Sequence, residues 1–233
     1  MKKLRVDVWS DIACPWCYVG KRRLEAALAR FPHRGAVAVA WRAFELDSSA
    51  PAVRNAAPYA HGLAKKYGTT AAKAQAMIDG MAETARADGL EFRFDRIRPG
   101  NTFDAHRLLH LAGERGVQDA VKERFLRGYM TEGEAIGDPA VLARLGVDAG
   151  LDAGEVSATL AGDAYAREVR DDEAQAREMG IRGVPFFVMG RYAVSGAQPA
   201  EVLLAALKKA WEETAAGPEL FAEGAACGPD GCA

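Results

Sequence analysis

Strand patterning is confined to two regions toward opposite ends of the chain, residues 4–44 and 184–194, and most of what lies between those regions is patterned as helix. Leu4–Trp9 alternates apolar and polar side chains, and Ala36–Phe44 does so through Val37, Val39 and Trp41. That period of two is the signature of a half-buried strand. Between these two strands, Val19, Leu24, Ala27, Leu28 and Phe31 form one helical stripe, with Pro15 suited to its first turn and Pro32-His33-Arg34-Gly35 ending it. The opening is therefore β-α-β, and a crossover of this kind makes the two strands parallel.

From Pro58 to Gly180 the periodicity is helical. The predicted helices are Tyr59–Tyr67, Ala71–Ala87, Thr102–Arg115, Val117–Thr131, Pro139–Leu145 and Asp163–Met179. Asp138-Pro139 is a start signal, and Gly68, Gly89, Gly116 and Gly180 are stop signals. Leu90–Gly100 reads as extended chain. Strand patterning returns at Val184–Met189, turns at Gly190-Arg191 and continues through Tyr192–Val194, a hairpin. Gln198–Thr214 is a last amphipathic helix, and beyond Gly217-Pro218 periodicity is lost. The split halves can complete one mixed sheet flanked by helices, an α/β class. The expected division is residues 1–47 with 181–216 (and a flanking helix from about 163), a helical insertion over 48–180, and a tail over 217–233.

Composition limits the partners. With 30 basic and 32 acidic residues the net charge is −2, and no long block of one sign occurs. That gives no footprint for nucleic acid or an anionic membrane. Arg5 and Asp7 interrupt any apolar run after the basic start, and no stretch approaches the ~18 apolar residues of a span. The expected location is the cytoplasm, where thiols stay reduced and cysteines serve catalysis or metals more often than staples.

Two of the four cysteines form Cys14-Pro15-Trp16-Cys17, where a strand gives way to a helix. Unpaired N–H groups and the helix dipole there favour thiolate over thiol. A thiol near its ordinary pKa of ~8.5 is a few per cent ionised at neutral pH, whereas one lowered to ~6 is mostly ionised. The spacing lets the pair close a disulfide. A zinc knuckle is the competing reading, but none of His33, His61, His106 and His110 is paired with cysteine at a finger spacing.

Several segments resemble the DsbA-like branch of the thioredoxin superfamily, specifically its FrnE-like members. They are Asp11-Ile-Ala-Cys-Pro-Trp-Cys-Tyr, Asn101-Thr-Phe-Asp-Ala-His-Arg-Leu108, Gly183-Val-Pro-Phe-Phe187 and Ser195-Gly-Ala-Gln198. The resemblance implies a thioredoxin-like mixed sheet with a large all-helical insertion. It implies protein thiol-disulfide oxidoreductase or isomerase activity, with Cys14 attacking and Cys17 resolving. It also implies a cis Val184–Pro185 bond, beside which the Val184 backbone pairs with an extended substrate. No cofactor is expected beyond the redox-active disulfide of the protein itself, with glutathione a candidate electron partner and disulfide or thiol proteins as substrates.

Other residues carry weaker signals. Asp11, three before Cys14, can tune the cysteines or cap the helix, and Asp7 is a second proton-relay candidate. Trp16 is expected to form an apolar lip, and Asn101 and His106 to line the substrate site. His106 and His110 fall at i and i+4, a metal-capable spacing, yet read better as packing, and no resident metal is expected. Cys227-Gly-Pro-Asp-Gly-Cys232 is a second pair around strong turn chemistry. A structural staple is a weak motive for it, since so short a loop is worth roughly 2 kcal/mol by chain entropy. An auxiliary electron relay is favoured over a soft-metal clip or an inert tail. Two alternatives remain open: a glutathione-dependent small-molecule isomerase, like the related 2-hydroxychromene-2-carboxylate isomerases, and a thiolate metal-binding protein.

Overall fold

The computed structural model describes residues 3–52, 59–213, 219–222, 224, 227–228 and 231–232, with the side chains of 219–222, 227 and 232 outside the described set. The chain divides into two compact units, one of Met1–Phe44 with Asp172–Ala233 and one of Glu45–Asp171. The second unit begins and ends earlier than the expected insertion, at 45 against 48 and at 171 against 180.

In the first unit, β1 (Leu4–Ser10) leads into α1 (Pro15–Ala29) and β2 (Val37–Ala43). β1 pairs with β2 in parallel, Val6 opposite Val39 and Val8 opposite Trp41. The second unit supplies the helices α2 (Tyr59–Lys66), α3 (Ala71–Ala87), α4 (Phe103–Glu114), α5 (Gln118–Arg127), α6 (Pro139–Asp148) and α7 (Ala153–Ala161). α8 (Ala166–Glu178) returns the chain to the first unit, where β3 (Phe186–Met189) and β4 (Tyr192–Ser195) form the expected hairpin, followed by α9 (Ala200–Glu212). β3 lies antiparallel to β1, Phe187 opposite Val8.

The tail is not the unstructured appendage its lost periodicity suggests. β5 (Glu219–Ala222) adds in parallel to β4, giving a five-stranded sheet in the order β2-β1-β3-β4-β5. β6 (Cys227–Gly228) and β7 (Gly231–Cys232) then form a two-stranded hairpin. An edge strand can be recruited by backbone pairing alone, which needs no side-chain alternation in the recruited segment.

Alternation along β1 organises this unit. Val6 and Val8 point into a core shared with Leu24 of α1, Phe187 of β3 and Leu203 and Leu207 of α9, all essentially inaccessible. Each such side chain contributes on the order of 1.5–3 kcal/mol. Asp7 and Trp9 point to the opposite face. There the Trp9 indole N–H donates to the Asp172 carbonyl at 3.0 Å, and the Asp172 carboxylate accepts from the Arg42 guanidinium and the Ala43 N–H, both at 2.9 Å. Arg42 also reaches Asp7 at 2.7 Å. Asp7 is thereby engaged in an ion pair that ties β1 to β2, a structural use of the residue considered for proton relay.

Among its described residues the second unit holds helices and no strand, and the Leu90–Gly100 stretch is non-helical, with a turn closed by the Arg96 N–H on the Arg93 carbonyl at 2.8 Å. Its α7 went unpredicted: Ala153–Ala161 is short and poor in large apolar residues, and only Asp152 marked it. Asp152 caps it, accepting from the Glu155 N–H at 2.9 Å. The Arg107 guanidinium binds the carbonyls beyond its other end, Gly162 at 2.6 Å and Ala164 at 2.8 Å. α5 stops at Arg127, before the expected Thr131, and a single π-helical turn follows over Gly128–Glu132.

Candidate active site

Cys14 is the residue that caps α1, with an extended backbone (φ −95°, ψ 114°) and Pro15 behind it in the first turn. Pro15 fits because the N–H it lacks would have had no helical partner. The Cys17 N–H closes the first turn on the Cys14 carbonyl at 3.1 Å, which brings the two residues one above the other. Both thiols are free and fully buried.

The opposite wall comes from the start of β3. The Cys14 thiol donates to the Val184 carbonyl at 3.5 Å, 170 residues away in sequence. The Val184–Pro185 peptide bond is cis. The Gly196 N–H donates to the Pro185 carbonyl at 2.8 Å, which ties the end of β4 to the same loop. Trp16 is half-buried between the two cysteines.

Gly20 is a site residue that the sequence reading passed over. A Cβ on it would stand 2.8 Å from Pro185 Cγ and 3.2 Å from Phe187 Cζ, so its bare backbone lets the helix bearing the cysteines lie against the proline. A signal was present. Glycine inside a helix costs about 1 kcal/mol relative to alanine, which asks for a packing reason. Ser10 was also missed: its hydroxyl is buried at the end of β1, with no hydrogen-bond partner among the described residues.

The electrostatics overturn one expectation. Burial pushes the Cys14 thiol well above its ordinary pKa, and its hydrogen bond and charge interaction with Cys17 push it further. The negative charge of Asp11 acts in the same direction, while the Cys17 backbone N–H acts the other way. The helix-terminal N–H thus does favour the thiolate, as expected, but desolvation outweighs it. Asp11 is itself buried and accepts from the Ala13 N–H at 3.4 Å. In this closed dithiol arrangement Cys14 is held as the thiol.

Asn101 and His106 belong to the second unit and are tied into its interior. The Asn101 amide donates to Glu45 at 3.2 Å, and its side-chain oxygen accepts from the Phe103 N–H at 2.8 Å. His106 is buried in α4, and His110 stacks against Tyr165 with ring centroids 6.5 Å apart. Among the described residues no cluster of three His, Cys, Asp or Glu is placed to hold a metal ion. Cys227 and Cys232 stand directly opposite each other in the β6–β7 register. Their side chains, on which the relay and metal-clip readings fall, lie outside the described residues.

A model of the DsbA-like thioredoxin domain matches residues 5–208. The chain belongs to that family. It is 50% identical to a crystal structure described as a probable DsbA oxidoreductase from Streptomyces coelicolor, covering 99% of this chain and 98% of that one with a TM-score of 0.85. The protein YwbO of Bacillus subtilis is 28% identical over 205 residues, 85% of this chain and 93% of its own length. A 2-hydroxychromene-2-carboxylate isomerase shares the fold at 16% identity, with a TM-score of 0.62 and coverage of 88% and 95%. Among the described residues no helix is long and apolar enough to cross a membrane.

Proposed function

We propose that this DsbA-like oxidoreductase exchanges disulfides with protein substrates through Cys14 and Cys17 in the cytoplasm. The observation that carries the proposal is the meeting of the Cys14 thiol with the Val184 carbonyl at 3.5 Å, with Cys17 closing the first helical turn on Cys14. An extended peptide that pairs with the Val184 backbone brings its own disulfide to Cys14, a local form of strand addition. It also competes with the thiol for that carbonyl. Deprotonated Cys14 attacks one sulfur of the substrate disulfide, forming a mixed disulfide and releasing one substrate thiolate. Cys17 then attacks Cys14, releases the second substrate thiolate and leaves a Cys14–Cys17 disulfide. Two electrons have passed to the substrate, and the reverse sequence oxidises it.

The Cys227/Cys232 pair serves this cycle as an auxiliary relay. As a dithiol it reduces Cys14–Cys17, becoming a disulfide in turn, and external thiol such as glutathione restores it. Two residues in register across a hairpin suit a disulfide. Both cysteines of the Cys-Pro-Trp-Cys motif favour dithiol exchange over glutathione-dependent isomerisation of a small molecule, which needs no resolving thiol.

The test is insulin reduction. Cys14→Ser should abolish turnover, and Cys17→Ala should accumulate a mixed disulfide trapped on Cys14. Cys227→Ser/Cys232→Ser should leave a single turnover intact and slow the steady state several-fold. Full activity in Cys14→Ser refutes the mechanism, and an unchanged steady state in the tail variant refutes the relay.

A further inference from the structure

One hydrogen bond at the start of β3 depends on the redox state of the protein. Two of its neighbours do not. The Cys17 N–H donates to the Cys14 carbonyl at 3.1 Å, and the Gly196 N–H donates to the Pro185 carbonyl at 2.8 Å. Both donors are backbone groups, which no change at sulfur removes. The Val184 carbonyl differs, because it accepts from the Cys14 thiol, at 3.5 Å.

That thiol hydrogen is lost when Cys14 and Cys17 close a disulfide. Oxidation takes two protons and two electrons from the pair, and the new S–S bond leaves neither sulfur with a hydrogen to donate. The Val184 carbonyl thus has the Cys14 S–H in the dithiol form and loses it in the disulfide form. Cys14 and Val184 are both wholly buried. A buried carbonyl deprived of a donor carries a desolvation cost, which an incoming N–H removes.

We propose that the Cys14 thiol makes peptide affinity depend on redox state, the disulfide form binding an extended backbone at Val184 more tightly than the dithiol form. This rests on the reading above that Val184 receives the substrate backbone. In the dithiol form a peptide N–H must displace the Cys14 S–H from the carbonyl. In the disulfide form that competition is gone. The difference is one net hydrogen bond, or about two- to tenfold in affinity. The consequence is a preference among substrates. Oxidised protein captures a dithiol substrate and passes its disulfide to it. In becoming reduced it regains the thiol that competes with the product for Val184. Substrates presented as thiols are therefore held better than substrates presented as disulfides. By linkage, a bound peptide lowers the reduction potential to match, by ~20 mV for a fivefold difference in a two-electron couple.

The experiment uses the full-length protein, oxidised and reduced, with a blocked, cysteine-free peptide of alternating threonine and valine, which can pair but cannot exchange. NMR titration gives its dissociation constant. The oxidised form should bind about two- to tenfold more tightly than the reduced form. Cys14→Ala removes the thiol donor without forming a disulfide. It should bind as tightly as the oxidised wild type, with or without reductant. In glutathione buffers, saturating peptide should lower the potential of the wild type. Equal dissociation constants for the two wild-type forms overturn the proposal and leave Val184 as a peptide site. A redox dependence that survives in Cys14→Ala belongs to Cys227 and Cys232 and also overturns it. Absence of binding to either form removes the reading at Val184, and the proposal with it.

Discussion

The protonation of Cys14 gives a prediction that separates two pictures of this site. If the helix terminus governed the thiol, alkylation would be nearly independent of pH above 7. Burial and the interactions with Cys17 and Asp11 instead hold the Cys14 pKa above its ordinary value. A thiol at the ordinary pKa of ~8.5 is about 3% ionised at pH 7, and a raised pKa lowers that fraction further. The thiolate fraction then rises about tenfold per pH unit, and roughly a hundredfold from pH 6 to pH 8. The assay is iodoacetamide labelling of the reduced protein from pH 6 to 9.5, quantified on the Cys14 peptide. The rate should climb throughout, without a plateau below pH 8.5. Asp11→Asn removes a charge that opposes ionisation while keeping an acceptor for the Ala13 N–H, so its profile should move to lower pH. A wild-type rate that levels off near pH 7 would refute the argument from burial. An Asp11→Asn profile shifted upward would refute the assigned sign.

Two further predictions concern the framework. Gly20→Ala should destabilise the protein by about 1 kcal/mol, because overpacking against Pro185 costs about 1–3 kcal/mol and the helix gains about 1 kcal/mol. Thermal unfolding should show a Tm lower by about 3 °C, and a rise in Tm would contradict the close approach. Asp172→Ala should cost about 3 kcal/mol, since it strands the buried Ala43 N–H and leaves Arg42 only Asp7. A loss below 1 kcal/mol in urea unfolding would show that the Asp172 contacts contribute little.

Much of this protein is written locally. The period of two in Leu4–Trp9, the apolar stripe from Val19 to Phe31 and the glycines after each helix name their elements because hydrogen-bond geometry sets side-chain direction within a few residues. The Cys-Pro-Trp-Cys position at a strand-to-helix junction is legible for the same reason, as is the Val-Pro step before the last hairpin. Short or atypical elements were harder. α7 has few large apolar residues, and the π turn at Gly128 interrupts a helical pattern that continues through it.

Other properties depend on which distant segments meet. The charge state of Cys14 could not be read at position 14, because desolvation depends on everything packed around the thiol. The demand for glycine at position 20 arises from Pro185, far away in sequence. β5 has no pattern of its own and is a strand because β4 offers it an open edge. By itself the sequence determined the order of elements and the chemistry available, since both follow from local backbone geometry and residue type. Tertiary structure decided how buried that chemistry is, what it touches and where the tail lies, because burial and contact are set by the chain as a whole.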